Sequence, residues 1–125
     1  MTGGLGGLDA ITFDCGDPLR LARFWGAVFG ADVAAVDGDE PHYVDLVPVP
    51  GLPTLRFQRV PEPKTTKNRL HLDVSVEDLE EACGRVEALG GRRISARPYV
   101  EYGYEWLVMA DLEGNEFCLV IDREA

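Results

Sequence analysis

What this chain of 125 residues lacks narrows its chemistry first. It has three cysteines, Cys15, Cys83 and Cys118, far apart in sequence and odd in number. That excludes a disulfide framework, and no C-x-x-C pair is present to hold a metal or run a redox cycle. Basic residues are scarce: 12 Lys and Arg stand against 22 Asp and Glu, for a formal charge of -10. So acidic a chain repels phosphate backbones and anionic lipid, which removes nucleic acid and membrane surfaces as partners. Long apolar runs are missing too, and the Gly-rich opening from Met1 to Leu8 has no basic stretch followed by an apolar one. A cytoplasmic chain without secretory leader or membrane span is expected. Gly3, Gly4, Gly6 and Gly7 precede a strand rather than opening a helix, so they are no phosphate loop.

What is present suffices for a packed core, since 46% of the residues are hydrophobic. Alternating residues from Leu8 to Cys15 predict a strand. Asp17 before Pro18 is a helix start, a capping carboxylate with proline at the first helical position. Leu21, Phe24, Trp25 and Val28 supply the buried stripe of that helix until Gly30 stops it. Strands are expected at Ala31 to Val36, His42 to Val47 and Thr54 to Val60, separated by Asp37-Gly38-Asp39 and the Pro48 to Pro53 breakers. The polar stretch 61–69 reads as a linker. The same order then recurs. Leu70 to Val76 is a strand, and Asp78 caps a second helix with Glu81 completing a capping box. Leu79, Ala82, Cys83, Val86 and Leu89 form its stripe, and Gly90-Gly91 closes it. Strands follow at Arg92 to Ala96, Tyr104 to Ala110 and Glu116 to Ile121, with Asp111 to Asn115 as the turn between the last two.

Two copies of one unit are visible in this order. Asp17 and Asp78 stand 61 residues apart, and so do Gly30 and Gly91. A fixed offset is the trace of internal duplication. The expected fold is α+β: two tandem β-α-β-β-β modules in a curved, mostly antiparallel sheet, helices on one face and an open concave face on the other. The whole chain is read as a single domain, 1–125, with modules at about 8–60 and 70–122. On the concave face, Ala10 should correspond to His71 and Gln58 to Cys118.

Three segments carry a family resemblance: DPLRLARFWGAVFG (17–30), HLDVSVEDL (71–79) and DLEGNEFCL (111–119). In this order they resemble the glyoxalase/bleomycin resistance/extradiol dioxygenase (vicinal oxygen chelate, VOC) superfamily, and within it the glyoxalase-like domain proteins. The resemblance implies the fold above, a site in the concavity and, by analogy, a homodimer. Metal-dependent members place His or Gln on the first strand, Glu or Gln on the fourth, His on the fifth and Glu on the eighth. Position by position, this chain offers Ala10, Gln58, His71 and Cys118. Ala10 has no donor atom, and Cys118 replaces the carboxylate that binds metal and moves protons. No cofactor is therefore expected. Were a divalent metal to bind, His71, Cys118 and Gln58 would be the ligands.

The expected site is a small-molecule pocket lined by Gln58, His71, Trp106, Cys118, Tyr102 and Phe57, taking an aromatic or anionic ligand. Trp106 offers a stacking face, with packing under the helices as the alternative. The Tyr-rich stretch Pro98 to Glu105 reads equally as a lid or as a surface hairpin. Lys64, Lys67 and Arg69 would draw an anion to the pocket mouth, unless they are simply a solvated linker. Glu116, two residues from Cys118 on the same strand face, is the candidate catalytic base. His42 matches no ligand spacing and is assigned to the surface. The functional readings are a metal-free binding module, a lyase, isomerase or dioxygenase with an altered ligand set, or a partner domain with a vestigial pocket.

Overall fold

Capping chemistry sets both helices. In the computed structural model, which describes residues 3–123, helix α1 runs Pro18–Phe29, and the Asp17 carboxylate accepts the Arg20 N–H. Gly30 ends it in the left-handed region at φ 68°, a conformation glycine adopts without strain. Helix α2, Leu79–Ala88, is capped by Asp78, which accepts the Glu81 N–H. The glycine in the left-handed region after α2 is Gly90, at φ 97°, not Gly91. Gly91 is small for another reason: a Cβ there would sit 2.6 Å from Val86 Cγ1 and 3.0 Å from the Ala110 carbonyl.

The chain divides into two compact units, Met1–Pro63 and Lys64–Ala125, and the division falls inside the expected linker. Of the Gly-rich opening, Met1 and Thr2 lie outside the described residues, as do Glu124 and Ala125 at the other end. In the first unit, β1 (Ala10–Cys15) pairs in parallel with β3 (Thr54–Arg59), and β2 (Tyr43–Asp45) pairs antiparallel to β3. The strand expected at Ala31 to Val36 contracts to one bridge, Val33 with Leu46. Leu21, Phe24 and Trp25 of α1 are buried together with Val44, Leu55 and Phe57 of the sheet. Phe13 stacks on Phe57 at 5.0 Å and meets Trp25 at 5.4 Å. Each fully buried aromatic or leucine side chain contributes roughly 1.5–3 kcal/mol, so this layer holds the unit together.

The second unit has β4 (Asp73–Ser75), β5 (Arg92–Arg93), β6 (Tyr99–Glu101), β7 (Tyr104–Ala110) and β8 (Glu116–Asp122). They line up in the order β4-β8-β7-β5, with β6 also on β7. Only β4 and β8 run parallel; the other pairs are antiparallel. Val74, Leu107, Met109, Phe117 and Leu119 are buried, as are Leu79, Ala82, Cys83 and Val86 of α2, which packs on this sheet. Leu89, expected in that stripe, is 40% exposed, because α2 has already ended. The turn after β7 is built by Asp111, itself buried: Oδ1 accepts the N–H groups of Glu113 and Asn115, and Oδ2 accepts Asn115 Nδ2. No helix among the described residues is long and apolar enough to cross a membrane.

Candidate functional site

Strand alternation gives the second unit a face that α2 does not cover. On β7 the residues alternating with the buried Leu107 and Met109 are Trp106 and Val108, and on β8 those flanking Phe117 and Leu119 are Glu116, Cys118 and Val120. These side chains, with Tyr104, His71, Asp73, Ser75, Glu101, Tyr102 and Lys67, line a cleft of about 730 Å³. Register orders them in rows. Tyr99, Trp106, Val120 and Ser75 lie side by side across four strands, and Val108, Cys118 and Asp73 form the next row. The Tyr99 ring stacks on Trp106 at 5.6 Å, which fixes the indole from one side. The Pro98 to Glu105 stretch is a hairpin: Tyr102 (φ 52°) and Gly103 (φ 79°) make its tight turn, and Tyr102 is 88% exposed at the cleft rim.

At one end of the cleft three functional groups converge. A His71 ring nitrogen, an Asp73 carboxylate oxygen and the Cys118 sulfur all lie within 4.8 Å of one another. His71 Nδ1 is 3.2 Å from Asp73 Oδ1, so the carboxylate orients the imidazole. Cys118 is 8% exposed, and burial, reinforced by the Asp73 charge, pushes its thiol up to about 11. At neutral pH it is a protonated, weakly polar group and not a nucleophile. Beside it, Glu116 is hydrogen-bonded to Lys67, which holds its carboxyl below the ordinary range. Its backbone N–H donates to Asn68 Oδ1 at 3.0 Å. The same contact makes Glu116 an anchor for Lys67 and weakens it as a proton acceptor.

The remaining expected site residues separate. His71, Trp106, Cys118 and Tyr102 come together on the second unit's cleft. Met109 is fully buried on the opposite face of β7 from Trp106, which resolves the register left open by the sequence. Phe57, expected as a pocket wall, is 0% exposed and belongs to the first unit's core. Gln58 lies on β3 opposite Asp14 and Tyr43. Register also corrects its equivalence with Cys118. Asp73 pairs with Cys118 in the second unit, and Thr12, 61 residues earlier, pairs with Arg56 in the first. Arg56, not Gln58, therefore occupies the position of Cys118, and its guanidinium is held by Asp45 at 2.8 Å. The basic cluster is dispersed as well: Lys64 donates to the Thr66 carbonyl at 2.6 Å, Lys67 is bound by Glu116, and Arg69 is exposed. His42 is exposed against Tyr43, as assigned.

Asp73 is the residue that sequence reasoning missed. The usable signal was its spacing: it lies two residues after His71, so both reach the same side of the chain. With it, the site holds one nitrogen, one oxygen and one sulfur donor at a separation a single small cation can bridge. That donor set fits a borderline divalent ion of the zinc class. Asp73 supplies the third donor, the part the sequence reading had given to Gln58.

The family model of the glyoxalase-like domain matches residues 10–120. No curated protein sequence matches the chain. Among solved structures, a hypothetical protein from S. aureus is 19% identical, with a TM-score of 0.71 over 95% of each chain. A glyoxalase/bleomycin resistance protein/dioxygenase family enzyme from Burkholderia phytofirmans is 21% identical, with a TM-score of 0.70 over 94% of this chain and 99% of that one. The fosfomycin resistance protein FosX from Listeria monocytogenes, as an E126Q mutant complexed with Mn(II) and 1S,2S-dihydroxypropylphosphonic acid, is 19% identical, with a TM-score of 0.71 over 93% and 90%. Identities this low speak to the fold alone. With the family model spanning residues 10–120, this chain belongs to the glyoxalase-like domain family, and these neighbours share its fold.

Proposed function

We propose that the protein binds a small, flat, aromatic molecule in the cleft of its second unit. One observation carries this reading: a cleft of about 730 Å³ lined by Trp106, Tyr104, Val108 and Val120 together with a few polar groups. Small-molecule sites have this form, roughly 300–1,000 Å³, mostly apolar, with few polar groups to fix orientation. Trp106, braced by Tyr99, provides a stacking surface that needs little ordering on binding. His71, oriented by Asp73, presents its second ring nitrogen as a hydrogen-bonding group. A thermal-shift screen of aromatic compounds tests the reading, because a bound ligand raises the melting temperature as its excess over Kd grows. Trp106→Ala should abolish the response while the protein stays folded. An unchanged response in that variant would place binding elsewhere.

The convergence of His71, Asp73 and Cys118 favours a second reading, a metal-dependent enzyme of the superfamily. These three residues would hold the ion, which when bound would supply Lewis acidity at the end of the cleft. Asp73 would then orient and charge-balance the donor set. Elemental analysis after loading with zinc, compared between the wild type and Cys118→Ser, separates this reading from a metal-free one.

A further inference from the structure

We propose that the cleft selects for positive charge: its ligand is an aromatic ring carrying a protonated nitrogen. This rests on the cleft being the ligand site. The charged groups lining it are Asp73, Glu101 and Glu116 against Lys67 and His71. Lys67 is already engaged by Glu116, and His71 Nδ1 faces Asp73. An incoming anion therefore finds no unengaged cation in the lining, and it approaches a chain of formal charge -10. Of the three cations expected to draw an anion, Lys67 is engaged by Glu116, and Lys64 and Arg69 are not part of the cleft lining.

A cation meets the opposite situation. Glu101 lies on the exposed hairpin, and among the described residues its carboxylate has no hydrogen bond or ion pair. It pairs with Tyr104 across the ladder and shares a strand face with Tyr99, the ring stacked on Trp106. Two residues along a strand is about 7 Å. A ring on Trp106 with an amine one or two bonds away can therefore set its ammonium beside Glu101. The electron-rich faces of Trp106, Tyr104 and Tyr102 attract the same charge. The aromatic patch and the free carboxylate are neighbours, and together they define one occupant.

Three probes of matched shape test this: 1-naphthylmethylamine, protonated at neutral pH, 1-naphthalenemethanol, neutral, and 1-naphthoate, anionic. Affinities are measured by titration calorimetry on the whole chain at low ionic strength. The cation should bind about tenfold more tightly than the anion, with the alcohol between them, and added salt should compress the range. Glu101→Gln, on an exposed hairpin, should lower the ratio of cation to alcohol affinity by about threefold. Equal or reversed affinities for cation and anion would overturn the charge selection and leave the aromatic site standing. A ratio unchanged in Glu101→Gln would overturn the part given to that residue. Failure of all three probes to bind would defeat the aromatic site itself.

Discussion

The first unit has Ala10, Thr12 and Arg56 at the positions where the second has His71, Asp73 and Cys118. The backbone frame is shared: a capped helix, a parallel pair made by the first and last strands, and an antiparallel neighbour. The side chains are not. Arg56 is tied by Asp45 and lies 3.8 Å from Asp9, so its charge is spent within its own sheet. In the second unit the corresponding groups face a cleft, and a thiol, an imidazole and a carboxylate stand close enough to act together. Two similar frames thus carry different side chains, and the group of N, O and S donors that faces a cleft belongs to the second.

The contrast breaks most visibly with two aromatic residues. Phe57→Ala should cost about 3–5 kcal/mol of stability, because Phe57 is fully buried in the first unit's core, and should leave ligand affinity per folded molecule unchanged. Trp106→Ala should do the reverse, removing binding with a smaller loss of stability; denaturant unfolding beside calorimetric titration measures both. Two helical glycines sharpen the comparison. A Cβ at Gly26 in α1 would lie 2.6 Å from the Ala31 carbonyl oxygen, whereas Gly84 in α2 has open space around it. Gly26→Ala should therefore destabilise by about 2 kcal/mol. Gly84→Ala should stabilise by roughly 0.5–1 kcal/mol in the same assay.

The buried thiol gives the next effect. Cys118 titrates near 11 when folded, against about 8.5 in an unfolded chain. Between these values the folded state keeps a proton that the unfolded state has lost. Its contribution is complete below about pH 8.5 and disappears as pH rises through 11, on the order of 3 kcal/mol. Stability measured from pH 8 to 11 should fall less steeply in Cys118→Ala; identical slopes would refute the assignment. Smallest is the acid side. The Glu116 carboxyl, lowered by Lys67, contributes stability above its unfolded pKa and loses it as pH falls through the folded one. Lys67→Met should remove less than about 1 kcal/mol between pH 5 and pH 3, because Lys67 is largely exposed.

Local chemistry made both helices legible in the sequence. Asp17-Pro18 and Asp78 name their own caps, and Asp111 to Asn115 names its own turn. Strand register was not legible, since it depends on pairing between distant segments. That is why Gln58 was aligned with Cys118 when pairing assigns Arg56, and why Phe57 was read as a pocket wall. His71 and Cys118 could be placed from motif, the face taken by Trp106 and the part of Tyr102 were left open, and Asp73 was passed over because no inherited ligand position pointed to it. The short β6 strand was hidden by Tyr102, whose positive φ is rare outside glycine. The fate of the basic cluster was hidden as well, because Lys67 finds Glu116 only after the second unit folds.

A heteronuclear NMR titration of the whole chain with protonated 1-naphthylmethylamine tests the central claim most directly. The account predicts saturable shifts gathered on residues 71–75, 99–108 and 116–120, lost in Trp106→Ala. Shifts gathered instead on residues 10–15 and 54–59, or a pattern that survives Trp106→Ala, would contradict it.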